Sequence, residues 1–229
     1  MIGGFAGVGS PRQLISALAN AGAKNLTIIS VASTPSGMES DLAPLFNNGQ
    51  VAKFIGSNVS ASHQLMSLYK AGIIDVELYP MGNWIEKVRA GGAGLGGVLT
   101  PVGINTVMSD ARDIVNIQGR QYLLELPLRA DFALIKAYRA DSIGNLEYRA
   151  GAINSHQVIA MAAHYTIAEV NEIVEVGQIE PVRVGTPGIF VQALVQLNQV
   201  SEQQGVLRHL WQKREEDKQN DEVQLRHHS

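Results

Sequence analysis

With 229 residues, 45% of them hydrophobic and 17% charged, the chain has the balance of a folded globular protein and the length of one ordinary to large domain. A net charge of −3 with scattered cations excludes the basic footprint of a nucleic-acid binder, and zero cysteines exclude a disulfide framework, a thiolate zinc site and a cysteine nucleophile. No apolar run reaches the roughly 18 residues of a membrane span and Met1-Ile2-Gly3-Gly4 is no signal peptide, so a cytoplasmic protein with no membrane and no nucleic-acid partner is expected.

In chain order, Ile2-Gly3-Gly4-Phe5 reads as the end of a buried strand whose earlier part is expected to be missing or misplaced at the N-terminus. Ser10-Pro11 then opens a helix, the hydroxyl at N-cap and proline at N1, with Leu14, Ile15, Leu18 and Ala21 on one face and Gly22 as the stop. Leu26 to Val31 is apolar on both faces, as a strand covered on both sides should be. The alternation continues with a strand at Val51 to Ile55, a helix at His63 to Lys70, a strand at Val76 to Tyr79 and a helix at Trp84 to Arg89. This rhythm predicts an α/β fold, a mostly parallel sheet flanked by helices.

Ile114 to Ile117 and Tyr122 to Glu125, joined by a polar turn centred on Gln118-Gly119-Arg120, predict a hairpin inserted into that sheet. Phe132 to Ala137 and Tyr165 to Val170 predict further central strands, with a short helix at Val158 to Ala163 between them. From Ser201 the chain turns polar and charged, which predicts a domain over residues 1–200 and a solvated tail over 201–229, with His227-His228 read as a tag remnant or chance instead of a metal site.

Two glycine clusters carry the chemistry. The stretch Gly3, Gly4, Phe5, Ala6, Gly7, Val8, Gly9 lies between a strand and a helix start, where bare amides and the helix dipole suit a phosphate or acyl oxygen. A tight, closely packed strand-to-helix turn is the other reading. The second cluster, Gly91, Gly92, Ala93, Gly94 and on to Gly97, is expected to be a loop whose backbone closely approaches a ligand or another chain segment. Gly7-Val8-Gly9 lacks the third glycine of a dinucleotide fingerprint, since Arg12 stands there, and neither cluster carries the Lys-Ser/Thr pair of a P-loop. Gly-x-Ser-x-Gly and His-Glu-x-x-His are absent, so no metal site is expected, and His63, His156 and His164 read as packing or helix-face residues.

Read together, five ordered segments resemble the α subunit of family I coenzyme A transferases, the acetate or acetoacetate and 3-oxoacid type, over about residues 1 to 195. They are Gly3 to Pro11, Arg89 to Gly94, Thr100-Pro101-Val102-Gly103, Leu124-Glu125-Leu126-Pro127-Leu128-Arg129-Ala130-Asp131-Phe132-Ala133-Leu134, and Ala140-Asp141-Ser142-Ile143-Gly144-Asn145. The resemblance implies ping-pong transfer of coenzyme A between short acyl or 3-oxo acids, through a glutamyl thioester on a β-subunit partner. It implies no catalytic residue in this chain, coenzyme A or acyl-CoA as substrate with no tightly bound cofactor, and contact with it at Gly3 to Gly9 and Gly91 to Gly94.

The chain departs from the family pattern at Val31-Ala32-Ser33, at Pro80-Met81-Gly82-Asn83 where relatives have Pro-Gln-Gly-Thr, and at Ala152-Ile153-Asn154-Ser155-His156, where an arginine is lost. Methionine cannot donate the glutamine's hydrogen bond. A shifted acyl specificity is the expectation, a non-catalytic or altered-activity coenzyme A-binding paralogue the alternative, and a thioesterase using Glu39, Glu86 or Glu125 a third.

Overall fold

The computed structural model describes residues 1–32, 41–59 and 62–197, and contacts divide the chain after Gln196. The tail expected from Ser201, with His227 and His228, lies outside the described residues, as do Ser33 and Glu39.

The first half alternates helix and strand: α1 (Arg12–Ala21), β1 (Leu26–Ile29), α2 (Ala43–Asn47), β2 (Val51–Gly56), α3 (His63–Lys70), β3 (Asp75–Leu78) and α4 (Met81–Gly92). β1, β2 and β3 pair in parallel in that order. Gly22 ends α1 in the left-handed region at φ 70°, as the sequence suggested. Ser10, however, is not the cap: Pro11 occupies that place and makes no side-chain cap bond.

Three short strands, β4 (Val98–Thr100), β5 (Ile114–Ile117) and β6 (Arg120–Glu125), form a separate antiparallel sheet in the order β4-β6-β5. The expected hairpin is present, but it does not insert into the parallel sheet. Its turn is the two residues Gln118 and Gly119, at φ 51° and 78°, the paired positive values of a type I′ turn; Arg120 already belongs to β6.

The chain then builds β7 (Ala130–Asp141), β8 (Leu146–Glu147), α5 (His156–Met161), β9 (Ala163–Val174), β10 (Val184–Thr186) and β11 (Ala193–Gln196). These strands form one mixed sheet ordered β10-β8-β7-β9-β11, in which β7, β9 and β11 are parallel and β8 and β10 antiparallel additions at one side.

Residues 1 to 3 join the parallel β1-β2-β3 sheet to the five-stranded one. The Ile2 amide donates to the Ile29 carbonyl, the Gly3 amide to the Leu134 carbonyl and the Leu134 amide to the Met1 carbonyl, each at 2.9 Å. The opening residues thus run between β1 and β7 as a missing strand. Side chains of neighbouring strand residues go to opposite faces, as a pleated strand requires. Ile2, Ile28, Phe54 and Leu134 join Leu14 and Ile15 of α1, Leu45 and Phe46 of α2 and Leu65 of α3 in one core. Met1, Ile29, Ile55, Ala133 and Ile135 join Trp84 and Val88 of α4 and Ile159 and Ala160 of α5 in the other. The result is a sheet covered on both faces, the layered α/β architecture the alternation predicted.

Candidate functional site

Beyond Gly3 the backbone turns sharply. Gly4 takes φ 110°, and Phe5 and Val8 exchange backbone hydrogen bonds of 3.0 and 2.9 Å around Ala6 and Gly7 at φ 48° and 86°. Gly9, at φ 72°, then returns the chain toward α1. Such values cost an L side chain free energy, which is why glycine dominates the segment. Among the described residues no acceptor meets the amides of Ala6 and Gly7, and Phe5 stands 40% exposed beside them. Gly3 and Gly4 are buried, so only residues 5 to 9 of this cluster present backbone to solvent.

The helix end below is occupied. Glu169 of β9 reaches across, its Oε2 accepting the amides of Gln13 at 2.8 Å and Leu14 at 3.1 Å, while its Oε1 pairs with Lys136 of β7 at 3.0 Å. Both side chains are almost wholly buried. A carboxylate 156 positions away therefore serves as the cap that Pro11 cannot be. The amides of Ala6 and Gly7, not the α1 terminus, remain as donors for an outside oxygen.

His156, the first residue of α5, sits under the turn with 0% exposure. A Cβ on Gly3 would overlap its ring, and one on Gly9 would lie 3.0 Å from its Nε2. The ring stacks on Tyr148 at 5.6 Å and 5°, and the Tyr148 hydroxyl meets Thr186 Oγ1 at 2.7 Å. Asn154 Nδ2 donates to the Val8 carbonyl at 3.2 Å. Neither imidazole nitrogen makes a hydrogen bond of full geometry among the described residues, and the Gly9 backbone is a weak polar neighbour at most. Burial foremost, with the Lys136 charge adding to it against an opposing pull from the Gly9 backbone, pushes the His156 pKa down to about 4.

The second cluster sits at the other end of α5. Gly91 and Gly92 are not loop but the last turn of α4, a correction to the sequence expectation. They are helical without side chains because the neighbours leave no room: a Cβ on Gly91 would overlap the Leu128 carbonyl, and one on Gly92 would stand 2.6 Å from Met161 Cβ. Ala93 and Gly94 follow as exposed backbone, Gly94 at φ 71°. An open depression of about 400 Å3 lies here, lined by Gly92, Ala93, Gly94, Arg129, Met161 and His164 among others. His156 packs against one glycine segment and Met161 against the other, and five residues of helical rise set them about 7–8 Å apart along the axis.

Of the carboxylates considered as nucleophiles, the two among the described residues, Glu125 and Glu86, are engaged. Glu125, 1% exposed, accepts Lys87 at 3.0 Å, Arg112 at 2.9 Å and Asn83 Nδ2 at 3.3 Å. Both cations also lie over the Tyr79 ring, at 4.4 and 5.0 Å, so the network ties α4 to the small antiparallel sheet. Glu86 is half-buried and paired with Arg89. At the departing Pro80-Met81-Gly82-Asn83 segment, Met81 opens α4 at 48% exposure, and Asn83 is buried, donating to Glu125 and to the Val102 carbonyl. His156 as the seat of the turn and Glu169 as its cap were not visible as site residues in the sequence. No group of metal-ligating side chains occurs among the described residues, and no described helix is long and apolar enough to cross a membrane.

A both-face-covered sheet with a glycine turn at its joining strand and a second glycine segment seated on the same short helix defines a layered α/β protein with two stretches of bare backbone at the ends of α5. The chain belongs to the coenzyme A transferase family, whose model, described as "Coenzyme A transferase", matches residues 1–197. It is of the α-subunit type. It is 41% identical over 195 residues to the alpha subunit of the acetate CoA-transferase of Escherichia coli K12, covering 85% of this chain and 88% of that one. To the corresponding chain of the 3-oxoadipate CoA-transferase of Acinetobacter baylyi it is 44% identical over 197 residues, covering 85% and 86%. In fold it matches glutaconate coenzyme A-transferase from Acidaminococcus fermentans, with a TM-score of 0.75 at 21% identity, over 85% of this chain and 69% of that one. It also matches the acyl-CoA transferase of Escherichia coli O157:H7 in its thioester complex with CoA, with a TM-score of 0.78 at 23% identity; there it covers 87% of its own length but only 44% of the other's.

Proposed function

We propose that this chain is the α half of a cytoplasmic enzyme that moves coenzyme A between short acyl or 3-oxo acids and acts only with a β subunit. The nucleophile is a β-subunit glutamate. Its carboxylate oxygen attacks the thioester carbon and expels the thiolate, leaving an acyl-glutamyl anhydride. The thiolate returns to the glutamyl carbon, releasing the first acid and leaving a glutamyl thioester. The acceptor carboxylate then attacks that thioester, and a second anhydride exchange passes the thiol on.

In this reading Gly3 to Gly9 and Gly91 to Gly94 make this chain's share of the coenzyme A site. Gly3, Gly4 and Gly91 act by allowing close packing, and Phe5 to Gly9 and Gly92 to Gly94 by presenting backbone. The observation that carries it is the pair of unsatisfied amides at Ala6 and Gly7, held open by His156 and Asn154 beneath. Backbone amides free to donate are among the groups with which acyl-transfer sites stabilise developing negative charge. The engagement of Glu125, Glu147 and Glu169 in buried ion pairs supports a nucleophile from outside this chain.

The test is to co-express the chain with a β subunit, then to assay exchange from acetyl-CoA to acetate, acetoacetate, butyrate and 3-oxoadipate. Exchange by the pair, with hydroxylamine-sensitive label on β alone, is the expected result. Label on this chain, or no exchange with any acid, overturns it. Met81, which offers no donor at the start of α4, favours one second reading, a coenzyme A-binding paralogue without turnover. Stabilisation of the pair by acetyl-CoA without exchange would select it.

A further inference from the structure

A second depression, of about 620 Å3, opens among Tyr138, Arg139, Glu147, Tyr148, Arg149 and Arg183, within the size range of small-molecule sites. Its walls are fixed from within. Glu147, its side chain 8% exposed, accepts Arg139 through Nε at 2.9 Å and Nη2 at 2.5 Å on one oxygen and Arg183 Nη1 at 3.0 Å on the other. One buried carboxylate thus holds two guanidiniums whose remaining N–H groups are uncommitted to it, although the exposed Glu180 also approaches Arg183 at 3.6 Å.

Arg149 differs from both. Among the described residues no carboxylate pairs with it, and its guanidinium lies over the Tyr138 ring at 5.2 Å, with Arg139 at 5.7 Å from the same ring. An aromatic face under a guanidinium fixes its plane while leaving the N–H fork directed outward, the arrangement that suits paired acidic oxygens. Tyr148 completes the wall, held by its bond to Thr186 and its stack on His156. Glu147, Glu180 and, beside Arg139 on β9, Glu172 offset the charges of Arg139 and Arg183, which leaves Arg149 as the guanidinium of this depression that no carboxylate pairs with among the described residues.

We propose that this depression binds an anion carrying several acidic oxygens, a phosphate ester or a polycarboxylate, with Arg149 as the principal fork and Arg183 as its neighbour. The chemistry admits two sources: the phosphates of a coenzyme A nucleotide, or a free di- or tricarboxylic acid. The nucleotide source rests on the coenzyme A reading above and the free-acid source does not, and pyrophosphate binding tests the site itself without turnover.

The experiment is titration calorimetry on the full chain, alone and with its β subunit, using pyrophosphate as the probe at low and high salt. Wild-type protein is expected to bind pyrophosphate in a salt-sensitive way, and Arg149→Ala to weaken it at least about tenfold, the effect of one lost charge-assisted hydrogen bond. Arg120→Ala is the control: Arg120 lies over Tyr122 at 5.4 Å in the same guanidinium-on-ring arrangement, outside the depression, and its loss should change nothing. Arg149 is exposed, so the variant's unliganded melting point should match wild type. Tighter binding of coenzyme A than of dephospho-coenzyme A, with the difference erased in Arg149→Ala, supports the nucleotide as source. Succinate or citrate binding that depends on Arg149 supports the free acid. No anion binding at low salt, or equal losses in Arg149→Ala and Arg120→Ala, overturns the site.

Discussion

Gly3→Ala would place a methyl group inside the space of the His156 ring, and neither side can yield cheaply. The Gly3 backbone is pinned by its bond to the Leu134 carbonyl, and the ring is wholly buried and stacked on a tyrosine that is itself tethered to Thr186. Forced overpacking of a rigid site costs about 1–3 kcal/mol; here the upper end, about 3 kcal/mol, is expected. His156→Ala alone removes a buried ring, at a cost of about 2–3 kcal/mol after some relief from losing poorly satisfied buried nitrogens. In the double variant the new methyl group occupies the vacated space, so the total should stay at about 2–3 kcal/mol, well below the sum of the single losses. Urea denaturation of the three variants, read as midpoint shifts at a common slope, measures this coupling. Additivity within about 0.5 kcal/mol would refute the claim that the imidazole is what requires glycine at position 3.

Acid should weaken the fold through the same ring. His156 is held neutral with its pKa at about 4, whereas in the unfolded chain it titrates near 6.5, so unfolding takes up a proton between those values. Its contribution is complete above about pH 6.5 and falls by up to about 3 kcal/mol as pH drops toward 4, a slope that should flatten in His156→Ala. Glu169→Gln strips Lys136 of its buried counter-charge and should cost about 3 kcal/mol, with much of it recovered in Lys136→Met/Glu169→Gln; an unchanged urea midpoint would contradict the capping role. Gly7→Ala should lower coenzyme A exchange by the αβ pair, while Gly119→Ala, at a similar positive φ in the remote hairpin turn, should cost comparable stability and leave exchange intact. Glu125→Gln should lower the melting point clearly, and Glu86→Gln should not.

The elements with local signals were legible in the sequence: α3 begins and ends where the pattern put it, β1 falls in the apolar, β-branched run from Leu26, and β2 and β3 fall where the helix–strand alternation put strands. Gly91 and Gly92 misled because glycine's helix cost, about 1 kcal/mol each, is overridden by contacts with Leu128 and Met161 that no window of sequence contains. Ser10 misled for the same reason, since the cap of α1 comes from Glu169 across the fold. β7 and β9 were read from their apolar centres at half their true length, because mutual pairing carries them out through charged residues. The hairpin was visible, but its attachment to β4 in a separate sheet depends on a partner chosen in three dimensions. The glycine turn was legible as a turn; what sits beneath it was not, since His156 lies about 150 positions away and a lone histidine announces nothing.

The strand made by residues 1 to 3 has a kinetic consequence. Its partners are residue 29 on one side and residue 134 on the other, so the central sheet cannot close until more than half of the chain has been synthesised. Until then the edge of β1 and residues 1 to 3 that β7 will cover stays open, flanked by apolar side chains, and loop closure over so long a separation slows the pairing. A nascent chain halted before Leu134 should depend on chaperones, and one released past it should not.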